Sequence, residues 1–230
     1  MNNNYFHQSK IINKKIINSE LCFVEFKVEN WNSHVPGQYS EICLTADNGY
    51  QAIRPYSIAS EPNSNYVRFL IEKISNGEVS TFFFDHSMIG DKVLISRPIG
   101  LRFILRNESL PIFICSGSGI APFLSMTKFL DYEKKNYKLF HWSKTFDGLV
   151  NYSNFSKQNN SEYHPFVTRE KSGINGIGTE RISKKDFNKL DELLKYEIYI
   201  CGSDYFVENA SEIVQKIFLN SKIYTERFGS

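Results

Sequence analysis

Arg54, Tyr56 and Ser57, in the stretch RPYSIAS (54–60), put three different chemistries within four residues. The arginine supplies a planar, permanently charged fork that matches a phosphate or pyrophosphate. The tyrosine offers a ring for stacking and the serine a small hydroxyl. Pro55 fixes its own φ and pushes Arg54 toward extended geometry, so the side chains around it point to alternate faces. Together these groups could hold a flavin nucleotide by its tail and ring. An ordinary edge strand with one exposed arginine has the same spacing.

A second cluster is GSGIAP (117–122), which follows the apolar run PIFIC. Gly117 and Gly119 would let the backbone approach a diphosphate, with Ser118 between them, and the helix that follows would offer free N–H groups and a positive dipole end. Pro122 stands where the G-x-G-x-x-G fingerprint has its third glycine or alanine, and no acidic residue waits at the usual spacing. A plain strand-to-helix turn remains the alternative. Upstream, GEVST (77–81) reads as a glycine entry, with Ser80 predicted to cap a short helix.

The elements that must position these residues change character along the chain. KIINSELCFVEFKV (15–28), HVPGQYSEICLTA (34–46), NYVRFLIEKIS (65–75) and VLISRPIGLRFIL (93–105) alternate or run apolar between turn residues, which predicts antiparallel strands closing into a barrel. From Pro111 onward, strands at 111–115, 138–143, 162–170 and 196–203 alternate with helices predicted at 145–158, 183–194 and 204–219, which implies a parallel sheet. A boundary at 107/108 gives two domains, 1–107 and 108–230.

Composition narrows the functional classes. A net charge of +2 over 230 residues gives no electrostatic footprint for nucleic acid or an anionic membrane surface. The four cysteines, Cys22, Cys43, Cys115 and Cys201, form no C-x-x-C, and His34, His86, His141 and His164 are scattered, so neither an iron–sulfur cluster nor a metal site is expected. The polar start MNNNYFHQSK and the absence of any apolar run near about 18 residues predict a soluble, cytoplasmic protein without stable membrane association.

Taken together, PGQY (36–39), RPYSIAS (54–60), GEVST (77–81), GDKVLISRPIG (90–100), GSGIAP (117–122), VTRE (167–170) and YICGSD (199–204) resemble, in order and spacing, the FAD-dependent ferredoxin/flavodoxin–NADP reductase family. The resemblance runs from about residue 10 to the end. It implies an antiparallel β-barrel FAD domain followed by an α/β parallel-sheet domain for a pyridine nucleotide. It also assigns roles: Arg54 to the flavin pyrophosphate, Tyr56 to stacking on the isoalloxazine, and Ser57 to a hydrogen bond near flavin N5. Gly77, Val79, Ser80 and Thr81 match the turn that receives the flavin diphosphate, and Gly117, Ser118, Gly119 and Pro122 match the nicotinamide-nucleotide turn.

By the same resemblance Thr168, Arg169 and Arg181 would hold the 2′-phosphate of NADPH, and Cys201, with Gly202, would lie near the nicotinamide. Glu226 and Phe228 resemble the family's C-terminal acid and aromatic, although this chain continues with Gly229 and Ser230. The implied protein is a monomer that moves electrons between NADPH and a transient one-electron carrier, ferredoxin or flavodoxin. A reductase component serving an oxygenase, or a flavin reductase, is the alternative.

Overall fold

The computed structural model describes residues 5–158, 161–170 and 175–229. Two compact units emerge from it: the chain up to Leu105 together with Ala121–Phe129, and Arg106–Ile120 together with the described residues from Leu130 onward.

In the first unit, β1 (Phe6–Ile16), β2 (Leu21–Val28), β3 (Tyr39–Thr45), β4 (Gln51–Ser57), β5 (Val67–Glu72) and β6 (Lys92–Ser96) form one antiparallel sheet in the order β4-β3-β6-β1-β2-β5. The two ends approach each other through an Ile58–Phe69 bridge and an Ala59 N–H to Arg68 C=O bond of 2.8 Å, which makes the sheet barrel-like. Its interior is apolar: Ile11, Phe26, Ile42, Phe69, Phe83 and Ile95 are fully buried. Each such side chain contributes roughly 1.5–3 kcal/mol of transfer free energy on burial.

Three sequence expectations change here. The first strand starts at Phe6, ahead of the predicted region. Of FHQSKIINKKI only Ser9 and Ile11 are buried, so its apolar signal is weak even though the strand is paired on both sides. The strand expected over 93–105 ends at Ser96, and Pro98 and Gly100 (φ +93°) then turn the chain. The predicted cap Ser80 lies inside α1 (Glu78–Thr81), for which Gly77 is the N-cap.

The second unit holds β7 (Leu110–Ser116), β8 (Tyr137–Ser143), β9 (Ser161–Val167), β10 (Tyr196–Gly202) and β11 (Lys222–Arg227), all parallel, in the order β11-β10-β7-β8-β9. Helix α2 (Ala121–Tyr132) follows β7, and α4 (Asp204–Ile217) follows β10. Two predicted helices shrink. The segment 145–158 keeps only α3 (Tyr152–Phe155), because Asn151 takes a left-handed φ of 61° immediately before it. The segment 183–194 keeps a single 3₁₀ turn, Lys184–Phe187, closed by reciprocal Ser183–Asp186 bonds. Phe187 and Leu190 still reach the core with Ile198, Ile200, Val207 and Val214, so burial is met without a regular helix.

Strand β10 is buried along its whole length, Glu197 included. The carboxylate of Glu197 accepts the Glu108 N–H at 3.2 Å, and Tyr199 Oη accepts the Arg106 N–H at 2.9 Å. These bonds satisfy backbone donors of the segment that leads into β7. Burial raises the Glu197 carboxyl above its ordinary range.

Candidate functional site

On β4, residues 54–57 pair with β3 in the register Arg54–Ile42, Pro55–Glu41, Tyr56–Ser40 and Ser57–Tyr39. β4 ends the sheet order, so the N–H that Pro55 lacks is tolerated there. Arg54 is exposed. Its Nη1 donates to the Ile53 carbonyl at 2.8 Å, and its Nη2 lies 3.9 Å from Glu78 Oε2. Tyr56 is half-buried, 6.4 Å from the Phe69 ring, and burial holds its phenol above the ordinary range. Ser57 is buried beside it.

The 77–81 turn packs next to β4. Val79 fills the barrel core, and Thr81 donates its N–H to the Gly77 carbonyl at 2.9 Å. The Ser80 hydroxyl accepts the Ile74 N–H at 3.1 Å and donates to the Gly77 carbonyl at 3.2 Å, so it closes the turn from inside. No side chain caps α1, whose first turn therefore keeps N–H groups available to an acceptor. An exposed guanidinium near an uncapped helix start fits a diphosphate in both charge and donor number.

In the second unit, Gly117 has φ +54° and open space where a Cβ would stand, while Ser118 and Gly119 are buried. A Cβ on Gly119 would lie 2.4 Å from the Cys201 carbonyl oxygen and 2.8 Å from Gly202 Cα. The turn therefore seats backbone against backbone on the carboxyl end of β10. Pro122 lies in the first turn of α2, where its missing N–H is not needed.

Cys201 pairs in register with Cys115 on one side and Glu226 on the other. It is fully buried; desolvation first, then the nearby Glu226 charge, push its thiol well above the usual range, so it stays protonated. Phe228, just past β11 and half-buried, donates its N–H to the Gly202 carbonyl at 2.9 Å. Gly117–Gly119, Cys201, Gly202, Glu226 and Phe228 thus gather around one strand end.

Thr168 donates both its N–H (3.0 Å) and its hydroxyl (3.2 Å) to the Ser143 carbonyl, and the Arg169 N–H goes to Lys144 at 2.9 Å. These bonds fix the backbone beyond β9 and leave the Arg169 and Arg181 side chains exposed. Residues 171–174 of the intervening polar loop, and Ser230 at the terminus, lie outside the described residues.

Sequence reasoning missed Glu78 and Tyr50, whose hydroxyl donates to Glu78 Oε2 at 3.1 Å. It also missed the partner of His34, which is buried with Nε2 sharing a 3.0 Å hydrogen bond with Ser125 Oγ. Neither pair has a local signal, because their partners are 28 and 91 residues away. A cavity of about 550 Å³ in the first unit, lined by Phe6, Glu29, Trp31 and Arg97 among others, contains none of the predicted residues. Among the described residues no group of His, Cys, Asp and Glu could hold a metal, and no helix is long and apolar enough to cross a membrane.

Residues 8–103 match the family model described as the oxidoreductase FAD-binding domain. The chain is 25% identical over 205 residues to the anthranilate 1,2-dioxygenase electron transfer component of Acinetobacter baylyi, covering 84% of this chain and 58% of that protein. It is 29% identical over 224 residues to flavohemoprotein B of Dictyostelium discoideum, covering 86% and 52%. The chain thus spans little more than half the length of these relatives. In three dimensions it is similar to a ferredoxin NADP+ reductase from Neisseria gonorrhoeae solved with FAD and NADP, with a TM-score of 0.85, 20% identity, and 97% and 98% of the two chains covered. Residues 8–103 thus match an oxidoreductase FAD-binding domain, and the chain shares the fold of that ferredoxin NADP+ reductase.

Proposed function

We propose that this protein is a FAD-containing oxidoreductase that carries electrons between NADPH and a one-electron carrier such as ferredoxin or flavodoxin. Residues 1–107 would bind the flavin and 108–230 the nicotinamide nucleotide. The observation that carries this reading is the exposed Arg54 fork on an edge strand beside the uncapped start of α1, within residues that match an FAD-binding domain. When bound, FAD supplies the exchange between two-electron hydride transfer and single-electron transfer.

The chain's own residues bind and orient. Arg54 and the 77–81 backbone hold the diphosphate, with Val79 anchoring the turn in the core and Ser80 and Thr81 shaping it. Tyr56 stacks on the ring system, and Ser57 places a hydroxyl at its reactive edge. Gly117, Ser118 and Gly119 with the start of α2 at Pro122 receive the nucleotide diphosphate, and Thr168, Arg169 and Arg181 select the 2′-phosphate. Cys201, a neutral thiol, gives the nicotinamide a small polarisable neighbour, while Gly202, Glu226 and Phe228 complete that end of β10.

A second reading, a reductase component delivering electrons to an oxygenase, is favoured by the similarity to an electron transfer component of anthranilate 1,2-dioxygenase. Either way the protein is expected to purify yellow and to release FAD on heating. Stopped-flow mixing with NADPH and with NADH should bleach the flavin faster with NADPH. Flavin that stays oxidised with both would refute nicotinamide turnover, and parallel assays with ferredoxin, flavodoxin and an oxygenase component separate the two acceptor classes.

A further inference from the structure

Arg54 already has an anionic neighbour. Its Nη2 lies 3.9 Å from Glu78 Oε2, and the Tyr50 hydroxyl donates to that same oxygen at 3.1 Å. Tyr50 is in turn held at the β3–β4 turn, where its N–H reaches Asn48 Oδ1 at 3.0 Å and its carbonyl accepts the Ala46 N–H at 2.9 Å. Glu78 is the first residue of α1, a single turn of four residues whose start lies beside β4. Both members of the ion pair are about half exposed, 54% and 49%, so the pair itself stabilises the fold little.

We propose that Glu78, steadied by Tyr50, is a built-in competitor for the flavin diphosphate: it engages Arg54 when no flavin is bound and lowers flavin affinity. The inference rests on the flavin site proposed at Arg54. A diphosphate seated by Arg54 must displace the Arg54–Glu78 contact and then remain beside the displaced carboxylate. Both effects oppose binding, and solvent screens both without cancelling them. Glu78 contributes neither to the barrel core nor to the Ser80 bonds that close the turn.

The test is the affinity of the flavin-stripped protein for FAD, read by quenching of flavin fluorescence. Glu78→Gln keeps a hydrogen-bonding side chain and should tighten FAD binding roughly three- to tenfold at about 50 mM salt, a gain that shrinks toward unity at about 500 mM. In an Arg54→Ala background the same substitution should change the dissociation constant less than about twofold, because the shared partner is gone. An unchanged or weaker affinity in Glu78→Gln, a gain insensitive to salt, or a gain undiminished without Arg54 would each overturn the proposal. Wild-type protein that fails to bind FAD at all would instead overturn the flavin site, and circular dichroism of each variant excludes loss of fold as the cause.

Discussion

Gly119 and Cys201 meet through their main chains: the Cβ that Gly119 lacks would stand 2.4 Å from the Cys201 carbonyl oxygen. The obstacle is the backbone of β10, a strand paired on both sides, so no side-chain rotation can relieve it. Gly119→Ala should therefore lower stability by about 1–3 kcal/mol and raise the NADPH Michaelis constant while leaving FAD bound. Thermal unfolding and steady-state kinetics check both parts, and wild-type values for both would show that the turn has room to spare.

Arg169 projects from a backbone fixed by the Thr168–Ser143 and Arg169–Lys144 bonds. Arg169→Ala should raise the Michaelis constant for NADPH about ten- to 150-fold, the range of one charge-assisted contact, with little change for NADH. Equal effects on the two nucleotides would remove the 2′-phosphate assignment.

Acid should unfold the protein through two buried imidazoles. Desolvation lowers His34 to about 4 and His141 to about 3, against 6.5 for the free side chain. The folded chain keeps both neutral while the unfolded chain protonates them below 6.5. Their contribution to stability is therefore complete above that pH and declines as pH falls toward 4 and 3, by up to about 1.4 kcal/mol per pH unit for each histidine. The raised Glu197 carboxyl works in the opposite sense, since its protonation eases burial as pH falls. Denaturant midpoints should drop between pH 7 and about 5, with a smaller drop in His34→Gln. A midpoint that does not move over this range would show that neither imidazole is buried neutral.

The four cysteines are free and buried. Burial pushes the Cys22 thiol up to about 12, and those of Cys115 and Cys201 well above their ordinary value, so the thiolate that reacts is scarce. A colorimetric disulfide reagent at mildly alkaline pH should find no fast-reacting thiol in the native protein and all four in denaturant. Rapid native labelling of Cys201 would contradict its assignment as an unreactive neighbour of the nicotinamide.

Where a short segment carries its own geometric instruction, the sequence alone determined the outcome. Pro55 imposes extended backbone on β4. The apolar run of β7 and the mostly apolar β10, broken by Glu197, suit strands covered on both faces, and Gly117 and Gly119 are the residues that a left-handed turn and a backbone-to-backbone approach require. The order of these segments was enough to expect an antiparallel barrel followed by a parallel sheet.

Only tertiary structure decided the features that depend on partners distant in the chain. Strand β1 exists because β2 and β6 flank it, although most of its side chains face solvent. The segments at 145–158 and 183–194 gave up most of their helical pattern, because Leu149, Phe155, Phe187 and Leu190 could be buried without it. Ser80 became the inner closure of a turn, and Ala121–Phe129 joined the first unit, where Ser125 meets His34 and Phe123 meets Phe103. Arg54 met Glu78 for the same reason: the packing of α1 beside β4 sets which surface residues become neighbours, and a charge carries no local mark of the neighbour it will find.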